Sequence, residues 1–492
     1  MPQKKFRIAN VLAEVSPYAK GGGLGDVGYA LPKAIARLGH EVIVIMPYYG
    51  CVRKQDFSRE KLAYQGIITI DGVEYPVQYR KHISPDGLLI YFVVNQELFG
   101  SHVKIYDVSE DESLRWIFFD LASIKLLEVI NFAPDIIHAH EWHTGLIPNY
   151  LKTVLKDNPF FKHTAVLFTI HNLHYQGPRR SSVIPQDKTD KGTGAPPENK
   201  NYRNYINFAK RAIVFSDLIN TVSERYAEEI ITPQFGDGLE GHLKRRKDRL
   251  FGIINGIDYE IYNPSFDSNV YYKYDVKSLD KKLKNKLALQ KEVGLEEKKD
   301  TPLIGVINRL TEMKGFDLIL QAMPTLLKMN LQIVIVGSGE RDDYLKLFRE
   351  IARKHPNLVG VSSPFTQKMA SKVYAGSDLY LLPSRFEPCG LSQLISLRYG
   401  SIPIVRAVGG LYDTITDYNP QTDTGIGFTF ENYEKDELLV AIARACESYK
   451  YKECWNRLVY RAMKQSFSWE LPARKYVQLY EIALKLKKKN PS

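Results

Sequence analysis

The chain has 492 residues, 44% of them hydrophobic and 25% charged, a composition that excludes a wholly disordered or fibrous protein. Its net charge of +11 suits a nucleic acid, an acidic surface or a phosphorylated small molecule and does not choose among them. The sequence lacks a run of about 18 uncharged apolar residues, so we expect no membrane span. Four cysteines without C-x-x-C spacing predict neither a zinc framework nor a disulfide scaffold.

The amino-terminal residues imitate a signal peptide, because Lys4, Lys5 and Arg7 precede an apolar run. Glu14 interrupts that run, however, and Lys20 follows without a small-residue cleavage pattern. We therefore predict a first strand here, in a cytoplasmic protein.

Short β-rich runs alternate with helical patterns along the chain. The predicted strands of the first half are 6–15, 41–46, 135–138, 165–170 and 218–222. After a charged helical stretch the alternation restarts, with predicted strands at 302–307, 332–336, 379–382 and 402–405. We predict an α/β protein with two Rossmann-like, doubly wound parallel sheets, joined between residues 255 and 300.

A glycine-rich turn follows the first predicted strand. Residues 23–28 match G-x-G-x-x-G ahead of a helix predicted at 29–38, a pattern typical of dinucleotide binding. That function needs an acid at the end of the second strand, whereas the nearest acid, Glu41, stands at its beginning. We expect the glycines to let the backbone approach a diphosphate or sugar, with Lys20 as counter-charge. Glycines needed only for a tight turn are the alternative.

Three histidines, His138, His140 and His143, cluster with Glu141 and Trp142 at the end of a strand. The run nearly matches the H-x-H-x-D-H of metallo-β-lactamase-like hydrolases, so metal ligation is one interpretation. Trp142 replaces the ligand aspartate of that motif, and this favours a sugar pocket. There Glu141 would accept hydrogen bonds from hydroxyls and Trp142 would offer an apolar face. Ordinary packing at a strand end is a third interpretation.

Two further features complete the first half. His171 and Asn172 end the next strand as a polar pair, the usual place of ligand contacts in such sheets. Residues 178–201 are rich in Pro, Gly and charge and poor in apolar side chains. This segment predicts a mobile loop without a packed core, of the kind that forms lids or binding loops.

Polar residues also follow the strands of the second sheet. Arg309 and Lys314 come after its first strand, where two cations can neutralise a pyrophosphate, although a solvated pair is the alternative. Gly409 and Gly410 follow a later strand and could bring backbone N–H groups near a phosphate.

The most informative stretch is 384–394, with the sequence SRFEPCGLSQL. Its lone acid, Glu387, follows a buried strand and precedes Cys389, Gly390 and Leu391 at a helix start. An acid at this position is typical of a ligand site.

Together these motifs resemble the bacterial glycogen synthase and plant starch synthase family over nearly the whole chain. The shared runs include K-x-G-G-L-G-D at 20–26, H-x-[DE]-W-H, T-I-H-N-L-x-Y-Q-G at 169–177, R-L-T-x-x-K-G and S-R-F-E-P-C-G-L-S-Q-L. The resemblance implies a GT-B fold, with two Rossmann-like domains facing a central cleft. It also implies retaining transfer of glucose from ADP-glucose to the nonreducing end of an α-1,4-glucan or maltooligosaccharide. ADP would be the product, and neither a metal nor another cofactor would be required.

The resemblance further implies domains at 1–255, carrying the acceptor and sugar contacts, and at 256–468, binding the nucleotide sugar, with 469–492 crossing back onto the first. Arg309 and Lys314 would clamp the diphosphate, and Glu387 would hold glucose hydroxyls. Glu141, His171 and Asn255 would orient the sugar. Lys20, Gly22, Gly23 and Asp26 would border donor and acceptor, and Phe365 would stack on adenine.

No nucleic-acid or membrane partner is expected, and the sequence makes no prediction of oligomeric state. The location would be cytoplasmic, or the plastid stroma for a member whose transit peptide is removed. A non-catalytic glucan-binding relative, or a metal-dependent hydrolase using the three histidines, are the alternatives.

Overall fold

The computed structural model describes residues 4–53, 60–102, 105–106, 111–178, 190–338 and 343–489. The chain divides into two compact units, of which unit 1 has residues 1–256 and 469–492 and unit 2 has residues 257–468. Each unit is built on one sheet. A search of the described helices finds none with the length and apolarity needed to cross a membrane.

The sheet of unit 1 has nine strands in the described residues, in the order β3-β4-β5-β2-β1-β6-β7-β8-β9. They are β1 Arg7–Val11, β2 Glu41–Pro47, β3 Lys61–Ile70, β4 Val73–Ile83, β5 Leu89–Val94, β6 Ile136–His140, β7 Ala165–Ile170, β8 Leu218–Thr221 and β9 Leu250–Gly252. Helices cover the sheet at α1 Gly23–Arg37, α2 Gly50–Arg53, α3 Glu112–Val129, α4 Ile147–Lys152, α5 Lys200–Arg203, α6 Phe208–Phe215, α7 Glu224–Glu229 and α8 Glu240–Arg245.

Seven of these strands form a parallel sheet, as predicted, but the pairs β3–β4 and β4–β5 are antiparallel. Every residue of β6 and β7 is buried, because helices cover both faces of a parallel sheet. Such strands are apolar runs that are easily recognised. The outer strand β3 is mostly exposed and lacks that signal. The predicted strands omit β3, β4, β5 and β9, although β5 is itself a buried apolar run.

Unit 2 carries a parallel sheet in the order β12-β11-β10-β13-β14-β15. Its strands are β10 Leu303–Arg309, β11 Gln332–Ser338, β12 Val359–Ser362, β13 Leu379–Leu382, β14 Ile402–Arg406 and β15 Phe428–Phe430. Its helices are α9 Leu279–Glu292, α10 Phe316–Leu326, α11 Asp343–Lys354, α12 Gln367–Gly376, α13 Ser392–Arg398, α14 Gly409–Thr414, α15 Lys435–Lys450 and α16 Lys452–Met463. The observed strands β7 and β13 have the predicted bounds.

The last helix, α17 Glu470–Lys489, packs within unit 1 on β6, β7 and β8. The Tyr480 hydroxyl lies 2.9 Å from His138 Nδ1, and Asn220 Nδ2 donates to the Tyr476 hydroxyl at 2.9 Å. The C-terminal segment therefore helps to cover the strands that end at the polar residues of unit 1.

Candidate active site

The glycine-rich turn of unit 1 lies between β1 and α1 and is held from beneath by Glu14. This side chain is only 2% exposed. Its Oε2 accepts hydrogen bonds from the backbone N–H groups of Gly21 at 2.6 Å and Gly22 at 2.9 Å. Its Oε1 accepts a short hydrogen bond from the Tyr106 hydroxyl. In the sequence Glu14 is visible only as an interruption of an apolar run, and nothing there indicates its contact with the turn.

The glycines of the motif lie mostly inside α1, which corrects the prediction of a helix that begins at Tyr29. The helix begins at Gly23, and a Cβ on Gly28 would come within 2.3 Å of the Glu14 carbonyl oxygen. Gly28 therefore serves close packing of the helix on the chain after β1. Gly22 is different, because a Cβ there would meet nothing within 4 Å.

Lys20 and Asp26, predicted to border the substrates, contact each other. Lys20 Nζ lies 2.7 Å from Asp26 Oδ1, and the Lys20 side chain is 36% exposed. Asp26 lies in the first turn of α1, where a carboxylate is favoured by the helix dipole. The pair places an accessible cation at the rim of the glycine-rich turn.

His138 and His140 are buried, and hydrogen bonds hold their rings. His138 Nε2 lies 2.7 Å from Thr169 Oγ1, and its other ring nitrogen contacts Tyr480. His140 Nδ1 lies 3.1 Å from His171 Nε2. Burial lowers the pKa of His138 and His140 well below the usual histidine value. Among the described residues no group of three or more His, Cys, Asp or Glu is placed to hold a metal ion.

His143 and Trp142 lie in an aromatic cluster. The Trp142 ring is 6% exposed, stacks on His143 with centroids 3.9 Å apart, and meets Trp116 and Phe208 edge-on. The Trp142 ring is enclosed by other rings, and its contact with a sugar stays a prediction. Packing at a strand end, the third interpretation, describes this tryptophan.

Glu141 holds the main chain of the next strand end. Its Oε1 accepts from the backbone N–H groups of His171 at 2.5 Å and Asn172 at 2.7 Å. Burial raises the pKa of Glu141 to about 8, against the opposing effect of these hydrogen bonds. Glu141 therefore holds the backbone of the neighbouring strand end, a role that was not predicted. The predicted role was to accept hydrogen bonds from sugar hydroxyls.

His171 and Asn172 are partly exposed at the end of β7. Burial lowers the pKa of His171 to about 3, so its ring is neutral at pH 7 and can donate or accept a hydrogen bond. Asn172 Oδ1 accepts from the His174 backbone N–H at 3.1 Å. Asn255 follows β9 and is 4% exposed, and its Oδ1 has no hydrogen-bond partner among the described residues.

The segment predicted as a mobile loop, 178–201, lies partly outside the described residues, since 179–189 are not among them. Its second half, residues 190–201, contacts other parts of unit 1 through polar groups. Asp190 forms a bidentate ion pair with Arg211 at 2.7 and 2.8 Å. Asn149 Nδ2 donates to the Gly194 carbonyl at 2.9 Å, and the Glu198 carboxylate accepts from Tyr150 at 3.0 Å. Polar contacts hold these residues, which explains why an apolar core was not visible in the sequence.

Unit 2 brings two of the predicted residues into direct contact. Lys314 Nζ lies 2.6 Å from Glu387 Oε2, and the Ser384 hydroxyl donates to the same oxygen at 3.0 Å. Both side chains are largely buried, at 15% and 7% exposure. A lysine and a carboxylate held this closely can bind one molecule that presents both hydroxyl and anionic groups. Arg309 ends β10 nearby in sequence, with an exposed side chain.

The loops that carry Lys314 and Glu387 are joined by further contacts. The Arg385 backbone N–H donates to the Met313 carbonyl at 2.9 Å, and the Arg385 guanidinium pairs with Asp317 at 3.0 Å. The Tyr433 hydroxyl donates to Asp317 Oδ1 at 2.5 Å. Gly315 has φ +78°, and a Cβ there would come within 2.1 Å of the Pro383 carbonyl. The two loops therefore lie in contact along their main chains.

The residues after Glu387 pack tightly against α14. A Cβ on Gly410 would come within 2.1 Å of the Cys389 carbonyl, and Gly390 has φ +72°. The Gly410 N–H donates to the Glu387 carbonyl at 3.0 Å. The Gly410 N–H therefore has a partner within unit 2, and its contact with a phosphate stays a prediction. Leu391 precedes α13, whose first turn lacks a side-chain cap.

Gly409 begins α14 and stays a prediction as a ligand contact. Phe365 lies between β12 and α12 and is 44% exposed, so its ring is accessible for stacking.

The chain matches family models over both units. Residues 7–245 match the starch synthase catalytic domain, and residues 290–463 match the glycosyl transferases group 1. A glycogen synthase of Pseudothermotoga lettingae is 40% identical over 98% of this chain and 100% of its own length. Glycogen synthase 2 of Geobacter sulfurreducens is 41% identical over 97% of this chain and 99% of its own.

Solved structures extend the likeness to three dimensions. The catalytic domain of starch synthase IV from Arabidopsis thaliana, bound to ADP and acarbose, superposes with a TM-score of 0.88 at 32% identity, covering 98% of this chain and 100% of that one. A sucrose-phosphate synthase from Thermosynechococcus elongatus has a TM-score of 0.61 at 17% identity, covering 97% of this chain and 99% of that one. The second likeness concerns the fold alone.

Proposed function

This chain belongs to the glycogen and starch synthase family of glycosyltransferases, and we propose that it transfers glucose from ADP-glucose to the nonreducing end of an α-1,4-glucan or maltooligosaccharide. The observation that carries the proposal is the 40% identity to glycogen synthases over essentially the full length of both chains. The two α/β units, each built on a largely parallel sheet, are those of the GT-B architecture.

The choice of ADP-glucose as donor has support from the related starch synthase, which was solved with ADP. ADP is the group that leaves when ADP-glucose gives up its sugar. On this proposal the donor and the glucan acceptor are the two substrates, and the reaction needs no further cofactor.

Unit 2 would hold the donor. As the bond between glucose C1 and the β-phosphate oxygen stretches, the sugar gains positive charge and the phosphate gains negative charge. Lys314 and the exposed Arg309 would stabilise the departing phosphate, because a positioned cation acts most strongly where charge develops in the transition state. Glu387, placed against Lys314 at 2.6 Å, would accept hydrogen bonds from glucose hydroxyls. Phe365 would stack on the adenine ring.

In unit 1, the neutral ring of His171 would contact a substrate. The rim of the glycine-rich turn would do so too, through Lys20 and the backbone of Gly22 and Gly23. The acceptor 4-hydroxyl would attack C1 from the side that ADP leaves, which retains the α configuration. Its proton would pass to the departing phosphate oxygen. This route needs no protein nucleophile, and it assigns to the protein the tasks of orientation and charge stabilisation.

The test measures radiolabelled glucose transfer from ADP-glucose and from UDP-glucose onto glycogen and onto maltooligosaccharides. We expect incorporation from ADP-glucose onto both acceptors, insensitive to a metal chelator. Release of free glucose without chain extension, or loss of activity with a chelator, would favour a hydrolase instead. Binding of glycogen without any transfer would favour a non-catalytic relative.

A further inference from the structure

Glu14 is a buried acid that none of the proposed contacts with substrate uses. Its carboxylate takes three donors, the N–H groups of Gly21 and Gly22 and the Tyr106 hydroxyl. The two N–H distances of 2.6 and 2.9 Å lie at the short end of the hydrogen-bond range. A buried carboxylate is tolerated only when such partners replace water.

The helix that follows is packed against the same residue. A Cβ on Gly25 would lie 3.3 Å from Glu14 Oε2 and 3.0 Å from Lys20 Cγ. One on Gly28 would lie 2.3 Å from the Glu14 carbonyl oxygen. The side chain of Glu14 therefore meets the turn, and its main chain meets α1. Both contacts fix residues that follow Lys20 in the chain.

Tyr106 connects this carboxylate with the histidine motif. Its ring stacks on His143 with centroids 5.3 Å apart, and His143 in turn stacks on Trp142. Glu14 thus joins the glycine-rich turn to the strand end that carries Glu141. Two separate sequence motifs are thus linked through one carboxylate and one tyrosine.

We propose that Glu14 is a positioning residue for glucosyl transfer, which sets the main chain of Gly21 and Gly22 and thereby the place of Lys20. The inference rests on the proposed function, because it assumes that the turn contacts a substrate. The acceptor capacity of Glu14 is what matters, because both carboxylate oxygens accept hydrogen bonds. A glutamine would fill the same volume, but it offers one acceptor oxygen where the carboxylate offers two, so its N–H₂ group would face either the two backbone N–H groups or the Tyr106 hydroxyl.

The primary variant is Glu14→Gln, compared with the wild type in steady-state transfer from ADP-glucose to a maltooligosaccharide. We expect kcat to fall on the order of 10- to 100-fold, the cost of misplacing a substrate contact by about 1 Å. The KM for ADP-glucose should change less than about threefold. Tyr106→Phe removes one of the three hydrogen-bond donors to Glu14 and should lower kcat by a smaller factor.

Asp217→Asn is the matched control. Asp217 is a 5% exposed carboxylate of the same unit that accepts from the Val166 N–H at 2.8 Å and pairs with Lys152 at 2.8 Å. It precedes β8, at the opposite end of the strands from the glycine-rich turn. This variant should lower the melting temperature and leave kcat and KM unchanged. An equal loss of kcat in Glu14→Gln and Asp217→Asn would overturn the proposal, since it would show a general effect of destabilisation.

Amide hydrogen exchange gives a readout that does not depend on activity. In Glu14→Gln we expect faster exchange at the N–H groups of Gly21 and Gly22 and unchanged exchange in β7. A wild-type chain that transfers no glucose overturns the proposed function, while the exchange rates still decide whether Glu14 holds the turn. Unchanged exchange in the variant, or wild-type kcat in an active Glu14→Gln enzyme, overturns the positioning role. Should that variant fail to fold, Tyr106→Phe decides by the same two measurements.

Discussion

Each unit has a turn from strand to helix with glycines and a nearby buried carboxylate, but the two carboxylates have different partners. In unit 1 Glu14 accepts from the backbone of Gly21 and Gly22. In unit 2 Glu387 accepts from the side chains of Lys314 and Ser384. The first carboxylate determines where the main chain lies, whereas the second places a cation. Substitutions should therefore act through geometry in unit 1 and through charge in unit 2.

The largest effect is expected from removing the cation of unit 2. Lys314→Ala should lower kcat roughly 100-fold, equivalent to about 2.7 kcal/mol of transition-state stabilisation, because the departing phosphate and Glu387 both lose their positive partner. Steady-state transfer from ADP-glucose measures this change. Lys372→Ala, which removes another partly buried lysine of unit 2 from its pair with Glu292, is the control and should leave kcat unchanged. Activity of Lys314→Ala within threefold of wild type would contradict the charge-based role.

Substitutions at two glycines of unit 1 should distinguish a requirement of the fold from a requirement of ligand binding. At Gly22 the space around a Cβ is empty, so Gly22→Ala should keep the melting temperature within about 2 °C, while transfer falls about tenfold if a substrate approaches the bare backbone. Gly28→Ala should do the reverse, with a destabilisation of about 1–3 kcal/mol from overpacking that is visible in thermal melts. Full activity of Gly22→Ala would exclude a close substrate contact at that residue.

The pH dependence of stability should show the raised pKa of the Glu141 carboxyl group. Its pKa is about 8 in the folded chain, against an ordinary value of 4.5, so the folded state binds an extra proton between these values and stability falls as pH rises through them. The slope is at most about 1.4 kcal/mol per pH unit. Thermal melts from pH 5 to 9 should show the wild type losing stability relative to Glu141→Gln. A constant difference across that range would show that Glu141 is ionised throughout.

The smallest effect is expected at the exposed Phe365. Phe365→Ala should raise the KM for ADP-glucose about fivefold, since stacking on a base contributes on the order of 1 kcal/mol or more, with no change in melting temperature. The KM for the maltooligosaccharide provides the internal control and should stay constant. Equal shifts in both values would contradict adenine stacking.

The fold class and the family were predictable because buried parallel strands are apolar runs and because the motifs are long and ordered. Both predictions are confirmed. What escaped the sequence was determined by partners distant along the chain. Glu14 looks like an interruption of an apolar run, and only the fold brings Tyr106, 92 residues later, to its carboxylate.

The sequence predicted which strand ends carry the candidate site, but it did not predict all the contacts that the side chains there make. The sequence placed Lys314 and Glu387 in one family motif each but gave no sign that they pair with each other. Trp142 was predicted to face a sugar, and its burial depends on Trp116 and Phe208 from other elements. The remaining site residues stay predictions until a substrate is bound.

The central claim is retaining transfer from ADP-glucose to a glucan, and proton NMR of the reaction with a maltooligosaccharide tests it most directly. We predict a new anomeric signal of an α-1,4 linkage and one ADP for each glucose added to the chain. Free glucose appearing with ADP, or a β-linked product, would contradict the account.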